Sequence, residues 1–220
     1  MCDRSDNFPE LSDAQKAGWQ AAVSDIREMS AGLRDGTATR EDMEGALNRL
    51  LSCDSDRETL INAVHIPPGA GPYAAALERI LRRIPNGWGR WISHDAGWYP
   101  IVVACDERLA AIDPDYVVHQ IKEKFGTLRY YCAPSSEPSP ELWETFRDIT
   151  SEAEHASAVT CECCGEPGSL HHNYLVKTLC PSCAETLGYA PKPPGIGRAG
   201  ILNNPASPSP PSVGRPRSAL

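Results

Sequence analysis

Four cysteines in the last third of the chain carry the clearest chemistry. Cys161 and Cys164 are separated by two residues, as are Cys180 and Cys183, and fifteen residues lie between the two pairs. Two intervening residues let a tight turn aim both sulfurs inward. Two such turns make a tetrahedron of thiolates with Zn–S distances of about 2.3 Å. Four thiolates leave a zinc ion no open position, so the expected site is a single structural Zn2+ and not a catalytic centre. Gly165 stands where the chain must reverse after the first pair, and residues 175–179 read as a short strand delivering the second. Cys163 could exchange with Cys161 or Cys164, but a pair of adjacent cysteines chelates poorly, so the spacing favours Cys161 and Cys164. Cys2, Cys53, Cys105 and Cys132 are scattered, as small apolar fillers are.

Other residues are weaker candidates. His171, His172 and Asn173 lie between the cysteine pairs and invite comparison with zinc-supported HNH nucleases, where histidines bind a catalytic cation and activate water. The fifteen-residue interval cannot house the strand, loop and later Asn and His of that fold, so a degenerate HNH-like metal nuclease is the third reading. The two histidines are expected on an exposed loop of the ribbon. His94-Asp95 could be a base with its orienting partner, but sequence neighbours point apart, and a surface turn is expected. Trp88, Trp91 and Trp98 could stack on a base or grip a peptide, or plug the junction between the N-terminal helices and a hairpin. Lys122, Lys124 and Arg129, interleaved with Phe125, Tyr130 and Tyr131, could read single-stranded nucleic acid; more often such a mixture is an amphipathic hairpin with a solvated basic face, particularly in an acidic protein. No phosphate-cradling loop, dinucleotide-binding glycine motif or glycine-flanked serine nucleophile is present.

Several elements must position these groups. Ser12-x-x-Gln15 opens a helix with Trp19, Val23, Ile26, Met29 and Leu33 at helical spacing, and Gly36 stops it. Thr39 or a neighbour caps a second helix with the stripe Met43, Leu47, Leu50 and Leu51. A short helix over about 56–65 ends at Pro67-Pro68, and another with Leu77, Ile80, Leu81 and Ile84 ends at Pro85-Asn86-Gly87. Pro100 takes the first turn of a helix reaching about Ile112. Residues 116–132 read as a hairpin turning at Gly126, with Val117, His119, Ile121, Glu123 and Phe125 on one face and Val118, Gln120, Lys122 and Lys124 on the other. Ser139-Pro140 starts a helix that runs almost directly into Cys161.

The expected fold class is therefore α+β. A flexible N-terminus (1–10) precedes a helical region (11–86). Then come an aromatic loop with a helix–hairpin–helix unit (87–159), a small zinc-ribbon-like knuckle of four cysteines (160–190) and a disordered proline-rich tail (191–220). The tail's eight prolines and few large apolar groups cannot offset the entropy of ordering it.

Composition narrows the function classes. No apolar run of about 18 residues exists, and the N-terminal residues lack a secretory pattern, so a cytoplasmic protein with no membrane partner is expected. In a reducing compartment, clustered cysteines point to metal and not to disulfides. The net charge is −8, with Lys192, Arg198, Arg215 and Arg217 and no acid in the last thirty residues. The acidic remainder disfavours broad non-specific binding to nucleic acid, though a local basic patch would still be compatible with it.

The stretch from Gly97 to Cys183 resembles a family of small uncharacterised bacterial and phage-encoded proteins. The resemblance is carried by Gly97-Trp-Tyr-Pro100, Ile121-Lys-Glu-Lys-Phe-Gly-Thr-Leu-Arg-Tyr-Tyr131, a helix end over 152–157, Thr160-Cys-Glu-Cys-Cys-Gly-Glu-Pro-Gly168 and Thr178-Leu-Cys-Pro-Ser-Cys183. It implies the order hairpin, helix, zinc knuckle, and assigns no reaction. The expected function is a non-enzymatic zinc-stabilised interaction protein, an adaptor or a phage or mobile-element accessory factor. Its expected partner is another protein; a nucleic-acid-binding zinc-ribbon module is the alternative.

Overall fold

Local signals set the N-terminal helices. The Ser12 hydroxyl accepts from the Gln15 N–H, and the Gln15 side chain accepts from the Ser12 N–H, so two orphan donors of helix α1 (Asp13–Asp35) are satisfied reciprocally. Gly36, in the left-handed region at φ +67°, closes it. Thr39 and Asp42 repeat the arrangement at the start of α2 (Arg40–Leu51). The two helices lie against each other and meet the body through aromatic rings. Trp19 is 4.3 Å from His65 and 5.6 Å from Trp91, ring centre to ring centre. The guanidinium groups of Arg82 and Arg90 lie over the ring of Phe8. This computed structural model describes residues 8–51, 56–173 and 175–191. The proline-rich tail from residue 192 on lies outside the described residues, as do residues 1–7 of the N-terminal stretch.

Helix α3 (Arg57–Asn62), capped by Asp56, is shorter than the sequence suggests. Residues 64 and 65 leave it because their backbone is taken up by Arg90: Val64 forms a parallel bridge with Arg90, and the His65 N–H donates to the Arg90 carbonyl. A 3-10 turn (Gly71–Tyr73) leads into α4 (Ala74–Arg82). Strand β1 (Ile92–Ser93), a second 3-10 turn (Ala96–Trp98) and α5 (Tyr99–Ile112) follow. Then come β2 (Val117–Lys124), β3 (Thr127–Ala133) and α6 (Pro140–Ser157).

The three strands form one sheet in the order β1-β2-β3, with β1 parallel to β2 and β2 antiparallel to β3. Helices α4, α5 and α6 bury one face of it. Leu77, Ile80 and Leu81 of α4, Val102 and Leu109 of α5, Val118 and Ile121 of β2 and Phe146 of α6 are sealed in a single cluster. Cutting any of these large side chains to alanine would cost about 2–5 kcal/mol. Within it lies a polar knot: the Tyr116 hydroxyl donates to Asp106 at 2.6 Å and lies 2.7 Å from the Tyr130 hydroxyl, while Arg83 pairs with Asp106 at 2.9 Å.

The hairpin departs from strict alternation. A bulge between Val118 and Gln120 leaves His119 as an extra residue, so that Val118 and Ile121, three apart, both face the core. Val118 is thereby parted from Gln120, Lys122 and Lys124, with which it was expected to share a face, and joins Ile121 instead. Gln120, Lys122 and Lys124 stay together, on the outer side. The turn is the two-residue pair Phe125-Gly126, both left-handed, at φ +57° and +81°.

Beyond α6 the chain builds a second small sheet, ordered β5-β4-β6, from β4 (Ser169–His172), β5 (Val176–Leu179) and β6 (Ala190–Pro191). A short helix α7 (Pro181–Thr186) follows Cys180 directly. No helix among the described residues is long and apolar enough to cross a membrane.

Candidate functional site

Two turns bring the cysteines together. The first follows α6 and is closed by the Cys161 N–H on the Glu166 carbonyl and the Gly165 N–H on the Cys161 carbonyl, with Gly165 at φ +83° reversing the chain. The second is the start of α7, where Cys180 is the cap and Cys183 lies in the first turn. The sulfurs of Cys161, Cys164, Cys180 and Cys183 all lie within 4.8 Å of one another. The Cys164 and Cys180 sulfurs are 3.6 Å apart, close to the roughly 3.8 Å edge of a tetrahedron with 2.3 Å metal–sulfur bonds. The four form a group able to hold a metal ion, and among the described residues no other such group exists. Cys180 is prepared for it: a hydrogen bond from Ser182, then one from the Cys183 N–H, hold its thiol down to about 6. Cys163 turns away, its sulfur 3.8 Å from an Asp95 oxygen.

The knuckle is joined to the tryptophan loop by backbone. The Gly97 N–H donates to the Glu162 carbonyl at 2.8 Å, and the Trp98 indole N–H donates to the Thr160 carbonyl at 2.8 Å. Below them, Lys177 of β5 reaches Asp95 at 3.0 Å and Glu162 at 2.8 Å. Glu162 is 1% exposed. Burial alone would lower the Lys177 pKa, but the two carboxylates outweigh it and hold the ammonium charged. At the other end the Thr178 hydroxyl donates to the Gly126 carbonyl at 2.6 Å, so the knuckle also grips the hairpin turn.

His94-Asp95 is thus no surface turn. His94 is buried against Trp98 and Tyr99, its Nδ1 lies 2.8 Å from the Asp95 carbonyl, and its Nε2 meets no hydrogen-bonding atom among the described residues. Burial pulls its pKa down to about 4. His171 and His172 are not on an exposed loop either. They are consecutive residues of β4, so their side chains point to opposite faces; His171 is buried with Nδ1 on the Ser169 carbonyl. Pairing with β5 on one side and β6 on the other is what makes this segment a strand and not a loop.

The remaining sequence candidates divide. Trp98 and Tyr130 are interior, and Trp91 is half-buried against Trp19 and His65. Arg129 is mostly buried and paired with Glu154 of α6 at 2.6 Å. What stays outside is a strip along the outer face of the hairpin. Trp88 is 57% exposed, with its ring 4.8 Å from His119; Tyr131 is exposed under the Lys122 ammonium; Phe125, 62% exposed, lies beside Lys124. A left-handed conformation at a non-glycine residue costs about 1–2 kcal/mol, and Phe125 is too exposed to recover that by burial. The Lys177–Asp95–Glu162 cluster has no local signal in the sequence. A glutamate inside a cysteine turn reads as a solvent residue, and its partners are distant along the chain.

No family model, curated protein or solved structure matches the chain. Four sulfurs facing one point can take a metal and leave it no vacant position. Beside them Lys177 is paired with Asp95 and Glu162.

Proposed function

We propose that this chain is a non-enzymatic recognition module, stapled by one structural zinc on Cys161, Cys164, Cys180 and Cys183, whose working surface is the outer face of the β1-β2-β3 sheet. Zinc suits an all-sulfur set with tetrahedral spacing. The observation that carries the reading is the row of exposed rings, Trp88, Tyr131 and Phe125, left on a face that no burial accounts for. The resemblance to bacterial and phage-encoded proteins favours an accessory factor acting in the cytoplasm.

Placing a photo-crosslinking phenylalanine analogue at Tyr131, and separately at Trp143 on α6, tests the surface. Adducts formed in host cells from position 131 but not from 143 are the expected outcome. Equal adducts from both positions, or none from 131, would overturn the assignment of the face.

A further inference from the structure

Granting the recognition face just described, the geometry points to single-stranded nucleic acid as its ligand. Two of its rings are displayed by unusual backbone. Trp88 sits between Gly87 and Gly89, at φ +85° and +81°, in a loop fixed by the Gly87 N–H donating to the Asn62 side chain at 2.7 Å. Phe125 occupies the first position of a turn that favours Asn, Asp or Gly at both central residues, and its ring is presented to solvent. A side chain kept in the left-handed region without burial is the kind of outlier that points to use.

The charges on the strip are one-signed. Lys122 and Lys124 face outward, and each ammonium lies 5.5 Å from the centre of an exposed ring, Tyr131 and Phe125 respectively. The acid between them, Glu123, is turned back, its carboxylate accepting the Gly126 N–H at 2.6 Å. Arg129 is neutralised by Glu154, so two lysines carry the positive charge in a chain of net charge −8. From His119 under Trp88 to Phe125 is six residues of strand, roughly 20 Å at about 3.3 Å each. Rings alternating with cations over that length fit a polymer that offers a flat base and an anionic phosphate in every unit. An acidic peptide would use the lysines and leave the ring faces idle. A duplex would hide its bases.

Fluorescence anisotropy of the full, zinc-loaded chain with fluorescein-labelled dT15, U15 and a 15-bp duplex tests this, at 50 and 200 mM salt. Both single strands should bind more tightly than the duplex, and the ratio of dT15 to U15 affinity separates DNA from RNA as the source. Removing both lysines (Lys122→Ala/Lys124→Ala) should flatten the dependence of log K on log salt by about 1.4, at about 0.7 per phosphate contact. Trp88→Ala and Phe125→Asn should each weaken binding at least about fivefold. Phe125→Asn should at the same time raise the melting temperature, which separates lost contact from lost fold. No binding at 50 mM salt, equal binding to the duplex, or unchanged affinity in Phe125→Asn would overturn the inference. Crosslinks from position 131 to protein alone, with no oligonucleotide bound, would overturn it while leaving the recognition face in place; absence of both would remove both.

Discussion

The backbone nitrogen of Gly97 and the carbonyl oxygen of Glu162 meet at 2.8 Å, so the tryptophan loop and the cysteine turn touch main chain to main chain. A methyl group at position 97 would collide with the carbonyl oxygens of Cys161 and Glu162 and the nitrogen of Gly165. None of these backbone atoms can swing aside as a side chain would. Gly97→Ala should therefore destabilise by about 3 kcal/mol or more, beyond the usual range for overpacking. Thermal denaturation of the two proteins measures it, and a loss under about 1 kcal/mol would mean the seam yields.

Metal content gives the second prediction. Elemental analysis should find about one zinc per chain, falling to near zero in Cys180→Ser, since binding free energy at a four-thiolate site is also folding free energy. Cys163→Ser should keep the metal, because that sulfur faces Asp95 and not the other four. A Cys163→Ser protein without zinc would show that the fifth cysteine is a ligand.

Lys177 is the counter-charge for two carboxylates, one of them sealed from solvent. Lys177→Met should cost about 3–5 kcal/mol by leaving a buried charge unpaired. Adding Glu162→Gln to it should recover part of that loss. A double-mutant cycle from urea denaturation reads the coupling; strict additivity would show that the pair contributes nothing.

His94 sets a pH dependence with a definite sign. Its folded pKa of about 4 lies below the ordinary 6.5, so the unfolded chain takes up the proton first as the solution is acidified. Its contribution is intact above pH 6.5 and is lost progressively toward pH 4, by up to about 3 kcal/mol. His94→Phe should flatten stability over that window relative to the parent; acid loss of zinc is common to both proteins and cancels in the difference. Identical slopes would show that His94 is solvated in the fold.

Much of the fold and the grouping of the four cysteines is legible in the sequence, and the reason is locality. Capping pairs such as Ser12 with Gln15, the turn at Gly126 and the cysteine spacing are decided within a few residues, so composition and period expose them. The bulge at His119 is invisible because a one-residue slip leaves the hydrophobic pattern nearly unchanged while exchanging the faces. Arg129 looks like a free cation because Glu154, which pairs with it, belongs to helix α6. Glu162 and Asp95 are opaque for the same reason. Their environment is set by Lys177, and no pattern within either segment carries that information.

The seam also fixes an order of events. Trp98, whose indole N–H finds its acceptor on Thr160, emerges from the ribosome long before that acceptor does. Contacts between Gly97 and Glu162, Asp95 and Lys177, and Gly126 and Thr178 likewise wait on residues of the knuckle. Helices and hairpin can form early from local contacts, while the distant pairings close slowly and late. Until residues 160–183 are made, the newborn chain carries an unfinished flank. The length of that interval would govern how long each nascent molecule stays vulnerable to chaperones and proteases.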